Sequence, residues 1–306
     1  MEEKKIHLLY EGKDITEEVD ILSCVHCEAA GGRSDGLHLE LDHQKTWYGW
    51  EPRQDDEIIV KFGDYQTGIL YMNTICPDED GFHIYATGMP TGARKTAWAF
   101  YEEQTLGAIL AACAGECGMA NALFGISGGI HYKYLLRENE SAPKFLNRLL
   151  AMEGAVLKSY NGKMQAIGIE YAQGLPAAQK MHVDADQAGV RYVCRNDMKL
   201  SGVTVKTAFG TGSAQDGTVK NGNRVVYTHL PAMDSGQAAR WAKGILLSRN
   251  RMAEQLTVDM EFNPAFCAME RIDIESETAT NGKWIVDKVE HDMTGNRSRA
   301  TLLRCI

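Results

Sequence analysis

Along the first ninety residues, apolar and polar positions alternate in short runs. Leu37-His38-Leu39-Glu40-Leu41-Asp42 alternates strictly, the period of a strand with one buried face. Lys5-Ile6-His7-Leu8-Leu9-Tyr10 runs into a turn at Glu11-Gly12-Lys13-Asp14 and then Ile15. Glu57-Ile58-Ile59-Val60-Lys61-Phe62 follows an acidic turn at Asp55-Asp56, and Gly68-Ile69-Leu70-Tyr71-Met72 follows the next turn. Asp78-Glu79-Asp80-Gly81 precedes Phe82-His83-Ile84-Tyr85-Ala86. Strands this short and this closely spaced predict a barrel or a sandwich.

The period then changes. From Leu106, apolar residues recur at Ile109, Leu110, Cys113 and Cys117, one face of a helix. Thr105 is placed to cap its start and Gly118 to end it. A strand is expected from Ile130 to Leu136. A second helix starts at Ser141, with Pro143 in its first turn and Phe145, Leu146, Leu149 and Leu150 facing a core. Gly154 ends it. Ala155 to Tyr160 and Lys163 to Ile169 flank Asn161-Gly162, the pair that fits a type I′ hairpin turn.

The last third is again β-like. Val203-Thr204-Val205-Lys206-Thr207, Leu256-Thr257-Val258-Asp259-Met260 and Trp284 to Val289 read as strands, and Ala300 to Ile306 as a closing one. Phe209 to Gly217, rich in Gly, Ser and Thr, reads as a loop. Asp234 or Ser235 caps a helix carrying Ala238, Trp241, Ala242, Ile245 and Leu246. The order is therefore a β domain over 1–92, an α/β domain over 93–172, and a second β domain with one inserted helix over 173–306.

Charge narrows the function classes. The formal net charge is −9 over 306 residues. Such a chain is poorly suited to holding a phosphate backbone by counterion release. The apolar run Leu106 to Cys113 is too short to span a bilayer, and the first residues lack the apolar core of a signal peptide. The eight cysteines are too sparse for a disulfide scaffold. Cys76, Cys194, Cys267 and Cys305 are expected as reduced core residues.

Few residues suggest chemistry. Gly125-Ile126-Ser127-Gly128-Gly129 fits the G-x-S-x-G nucleophile elbow, with Asp184 and His229 as candidate partners. That elbow needs a strand before Ser127 and a helix after it, whereas a helix and then a strand are expected, so a Gly-rich connection is preferred. Cys24-Val25-His26-Cys27 resembles half of a zinc site. The other close pair, Cys113 and Cys117, falls on the buried face of a helix, and burial explains it. Asp78-Glu79-Asp80-Gly81 lacks the ligand spacing of a calcium loop. Gly210-Thr211-Gly212 lacks the rest of either phosphate-binding fingerprint. Trp47, Tyr48 and Trp50 cluster between two expected strands, where packing at a barrel end competes with sugar or partner binding. No catalytic, cofactor-binding or metal-ligating residue is assigned.

Several stretches together resemble the late-control D family of phage tail proteins, whose fold also forms the hub part of type VI secretion spike proteins. They are Gly12-Lys13-Asp14-Ile15-Thr16, Ser34 to Asp42, and Glu51-Pro52 through Val60 with Gly68. The middle unit is the most specific. Tyr134 to Ser141 leads into Phe145-Leu146-Asn147-Arg148-Leu149 and Glu153-Gly154-Ala155. Val289-Glu290-His291-Asp292 and Ala300-Thr301-Leu302-Leu303 match the family's closing strand pair. The resemblance runs in order over nearly the whole chain.

This resemblance implies a β-rich α+β protein: two small antiparallel β-barrels with an α/β domain inserted between them. It further implies a structural baseplate hub rather than an enzyme. Three chains would form a ring joining the tail tube to the central spike and adapting sixfold to threefold symmetry. Expected partners are further copies of the chain, a spike protein, a tube protein and a tape-measure protein, with DNA only as passing cargo and no membrane insertion. Assembly would take place in the bacterial host cytoplasm. The chain stops at Ile306 just after the closing strand, so the spike is expected as a separate protein. Acidic charge suits a bore that lets DNA pass without sticking. The alternatives are a serine hydrolase using Ser127 and a carbohydrate- or receptor-binding module using Trp47, Tyr48 and Trp50.

Overall fold

A computed structural model describes residues 5–42, 52–77, 79 and 81–306. The first stretch contributes β1 (Ile6–Tyr10), β2 (Lys13–Asp14), β3 (Ile21–Ala29), β4 (Gly36–Leu41), β5 (Glu57–Phe62), β6 (Tyr65–Gln66), β7 (Leu70–Pro77) and β8 (Phe82–Thr87). The middle contributes β9 (Thr96–Thr105), α1 (Leu106–Glu116), β10 (Ala120–Phe124), β11 (His131–Ser141), α2 (Ala142–Met152), β12 (Ala155–Tyr160), β13 (Lys163–Gly168) and α3 (Ile169–Gly174). The last third contributes β14 (Gln179–His182), β15 (Val190–Cys194), β16 (Leu200–Thr207), β17 (Gly210–Gln215) and β18 (Asn223–Tyr227). It continues with α4 (Ser235–Asn250), β19 (Glu254–Glu261), β20 (Arg271–Glu275), β21 (Gly282–Asp292) and β22 (Arg297–Arg304).

Strands from both ends of the chain share one fourteen-stranded sheet. Its main path is β15-β19-β22-β21-β3-β4-β8-β7-β5-β1-β2, with β6 beside β5, β20 beside β21 and β14 beside β20. The seam is β21, which pairs antiparallel with β22 on one side. On the other side its second half pairs with β3, setting His291 opposite His26 and Val289 opposite Glu28. Among the described residues the ladder runs from β15 to β2 and does not return on itself. Each side of the seam still wraps its own core. Leu8, Leu39, Leu41, Ile58, Val60 and Ile84 fill one. Leu256, Ile272, Trp284, Val286 and Leu302 fill the other.

The strict alternation in β4 has the expected result. Leu37, Leu39 and Leu41 are buried, while Gly36, His38 and Glu40 are half-buried. Each leucine removed from water contributes roughly 1.5–3 kcal/mol before entropy is counted.

The third body lies between these units in sequence and draws on two stretches. β10 runs parallel to β13, which pairs antiparallel with β12. Asn161 and Gly162 in the hairpin turn have φ of 48° and 70°, as a type I′ turn requires. The Thr105 side chain accepts the Ala108 N–H at the start of α1. Gly118 has φ of 70° just beyond the other end. α2 buries Phe145, Leu146, Leu149 and Leu150. Val203, Val205, Ala238 and Trp241 join that same core, so residues 200–250 pack with 93–172 rather than with the sheet seam.

Several sequence expectations change. The loop expected from Phe209 to Gly217 contains β17, paired with β16. Its composition hides it: a Cβ on Gly212 would lie 2.1 Å from the Ala239 nitrogen, so α4 sits directly on the glycines of this strand. Cys76 and Cys194 are exposed rather than core residues. Cys76 lies near the end of β7 and Cys194 ends β15, a terminal strand of the main path. β9 pairs with β11 in a separate two-stranded ribbon, which carries Trp98, Phe100 and Tyr134 outward and buries Tyr132.

Candidate functional site

The residues picked out for chemistry do not converge. Ser127 lies in the turn between β10 and β11, and its Oγ accepts the Gly129 N–H at 3.2 Å. A strand does precede it, unlike the sequence reading, but β11 follows where an elbow needs a helix. Asp184 bonds His182 at 2.9 Å and Ser276 at 2.5 Å. His229 lies against the Tyr227 ring. None of these four contacts joins two members of a triad. Cys24 is buried with its thiol 3.7 Å from the Met293 sulfur, whereas Cys27 is half-buried. Their spacing of three along a strand sends them to opposite faces. Cys113 in α1 and Cys117, which caps its C-terminal end, are both buried, as helical spacing implies. Glycines 210 and 212 serve packing: a Cβ on Gly210 would lie 2.5 Å from the Ser235 nitrogen. Trp47, Tyr48 and Trp50 lie outside the described residues, as do Asp78 and Asp80 of the acidic turn.

The geometry instead builds a polar junction that the sequence reading missed. Lys158 on β12 donates to Glu28 on β3 at 2.7 Å, with Asp35 at 3.6 Å. All three side chains are at least nine-tenths buried. Glu28 also accepts the Ala268 N–H at 2.9 Å, and Asp35 accepts the Ala29 N–H at 3.0 Å. One ion cluster therefore ties together the first stretch, the middle body and the 264–270 segment. Beside it, His26 bonds the Tyr65 hydroxyl at 2.6 Å. His291, opposite His26 across the seam, bonds Ser298 and the Phe266 carbonyl. A second tie joins Arg33 to Asp287, with Arg251 at 4.0 Å from the same carboxylate.

Burial controls protonation here. Desolvation pushes the Asp35 carboxyl up to about 7, against the opposing pull of Lys158. Burial alone would lower the Lys158 ammonium, but Glu28 and Asp35 together raise it above its ordinary value. Burial drives His26 down to about 3, and nearby His291 and Lys158 act in the same direction. Both histidines are thus neutral at neutral pH, His291 also being lowered by burial.

The outer surface carries a different feature. On β9, Trp98 and Phe100 are 69% and 68% exposed. Phe100 faces half-buried Leu136 across the ribbon, and Glu102 faces Tyr134. The ribbon's other face, with Leu135, Arg137 and Glu140, is buried.

No family model matches the sequence, and no curated protein is similar to it at the sequence level. Solved structures are similar over the whole chain. The 43 kDa tail protein of prophage MuSo2 from Shewanella oneidensis aligns with a TM-score of 0.75 and 14% identity, covering 99% of this chain and 98% of its own. The tail protein from Neisseria meningitidis MC58 gives 0.74 at 10% identity, covering 98% and 96%. The E. coli c3393 protein, a type VI secretion component with structural similarity to the T4 tail proteins gp27 and gp5, gives 0.57 at 10% identity, covering 98% and 77%. The β-rich α+β fold of this chain, with its helical body between two β units, is thus the fold of prophage tail proteins and of their type VI secretion counterpart.

Proposed function

We propose that this chain is the central structural hub of a phage tail or phage-like contractile injection system. The observation that carries the reading is the end-to-end fold match: nearly all of this chain aligns with nearly all of a prophage tail protein. A shared active site does not enter the argument. The proposed unit is a homotrimeric ring at the virion baseplate, assembled in the host cytoplasm. It joins the tail tube to the central spike and converts sixfold into threefold symmetry. Two β units per chain, each with its own core, would give three chains six similar units. A ring of this kind closes through head-to-tail contacts. The tape-measure protein would meet the same ring, and DNA would pass its bore as cargo. The unit boundaries proposed for this assembly are 1–92, 93–172 and 173–306, with residues 200–250 docked onto the middle unit.

The test is the solution mass by light scattering on a sizing column, alone and with the spike encoded nearby. A threefold mass in either condition is expected. A persistent monomer that ignores the spike would remove the hub reading.

A further inference from the structure

A cavity of about 480 Å³ opens beside the buried junction, where β6, β12, β13, α3 and residues 264–270 meet. That volume suits a small organic group. Phe124, Tyr160 and Tyr171 line it with aromatic rings. Phe124 and Tyr171 are each 41% exposed at its edge. Gly125, next to Phe124, lies tight against the Tyr171 side chain: a Cβ there would fall 1.9 Å from the Tyr171 Cβ. Met269, also in the wall, holds a φ of 77°, a conformation that side chains of its size rarely adopt.

The charges lining the cavity are unequal. Lys158 is already committed to Glu28 and Asp35. Asp64, which is exposed, and half-buried Glu270 also line the cavity, and neither makes a side-chain hydrogen bond or ion pair among the described residues. Two unpaired carboxylates beside aromatic rings favour an organic cation. The ring quadrupoles attract positive charge, and the carboxylates accept its N–H bonds. An anion would find no uncommitted positive group. We propose that this cavity binds an alkylammonium or guanidinium group, carried either by a free small cation or by a Lys or Arg side chain of a protein docked at the junction. The proposal rests on the cavity alone and stands apart from the hub reading.

Calorimetric titration of the full chain tests it with three probes. They are agmatine, acetyl-Gly-Arg-Gly-amide, and the same peptide with norleucine in place of arginine. Saturable binding of a cationic probe is expected. It should weaken by about tenfold or more in the Asp64→Asn/Glu270→Gln double variant, whose unchanged melting temperature confirms folding. Phe124→Ala should weaken it as well. Binding of agmatine alone identifies a free cation as the ligand type, and binding of the arginine peptide identifies a side chain. No saturable binding of either would overturn the proposal. So would equal binding of the norleucine peptide, or affinity unchanged in the double variant.

Discussion

Replacing Lys158 by Met keeps most of the aliphatic stem and removes the one cation between Glu28 and Asp35. Two buried carboxyl groups are then left without a counter-ion. Breaking a buried pair from one side costs about 3–5 kcal/mol. The structure also sets a ceiling on that cost, because a stranded carboxylate can take up a proton instead. For an ordinary glutamate with a pKa of about 4.3, neutralisation costs about 5 kcal/mol at pH 8 but only about 1.6 kcal/mol at pH 5.5. Asp35, already pushed up to about 7, adds little at the lower pH. Lys158→Met should therefore lose about 3–5 kcal/mol at pH 8 and about 1–2 kcal/mol at pH 5.5. The sign follows from linkage: in the variant a raised carboxyl pKa stabilises the fold below the unfolded value, and this is lost as pH rises. Urea unfolding of both proteins at the two pH values gives the difference. As a control, Lys243→Met breaks an exposed pair with Glu170 and should cost at most about 1 kcal/mol. A Lys158→Met loss below about 1 kcal/mol, or one that does not change with pH, would refute the reasoning.

Other consequences are testable on the same material. His26 is depressed from 6.5 to about 3, so its stabilisation is present above about pH 6.5 and lost as pH falls toward 3. Asp35 is raised from 3.8 to about 7, so its stabilisation is present below about pH 4 and lost as pH rises toward 7. These slopes oppose each other, and melting temperatures between about pH 4 and 6.5 should tilt in opposite directions in His26→Gln and Asp35→Asn; parallel curves would contradict the assignment. A Cβ on Gly244 would sit 2.0 Å from the Met152 carbonyl oxygen, where α4 crosses the end of α2. Gly244→Ala should therefore destabilise by about 1–3 kcal/mol despite alanine's better helix propensity, as denaturant midpoints would reveal. Ser127→Ala removes only the contact to Gly129 and should shift stability by less than about 1 kcal/mol.

Much of the architecture was legible because local chemistry and packing agree. The Thr105 cap, the buried face of α2, the Asn161-Gly162 turn and the alternation of β4 each state in sequence what the fold then uses. β17 was not legible, because two of the positions it packs against α4 are glycines. Its Gly-Thr-Gly pattern reads as a loop until α4 is laid upon it. The outward aromatics of β9 mislead in the other direction, since Trp98 and Phe100 alternate as a core face would but point to solvent. The junction left one faint signal. Glu28 in β3 and Lys158 in β12 are the only Asp, Glu, Lys or Arg in their strands. Nothing in the order of residues says that these two, 130 positions apart, meet.

The pairing of β3 with β21 has a temporal consequence. Cys24 and Met293, which touch in the folded chain, are 269 residues apart. During synthesis β3 therefore emerges long before the strand that covers its edge. Until β21 leaves the ribosome, the first β unit presents an unpaired ladder of N–H and C=O groups, the kind of edge that recruits wrong strands. Contacts of such long sequence separation also slow folding, because loop closure must come before the pairing stabilises it. Chains truncated before β21 should thus be prone to aggregation rather than merely unstable, and the nascent chain is a natural client for chaperones.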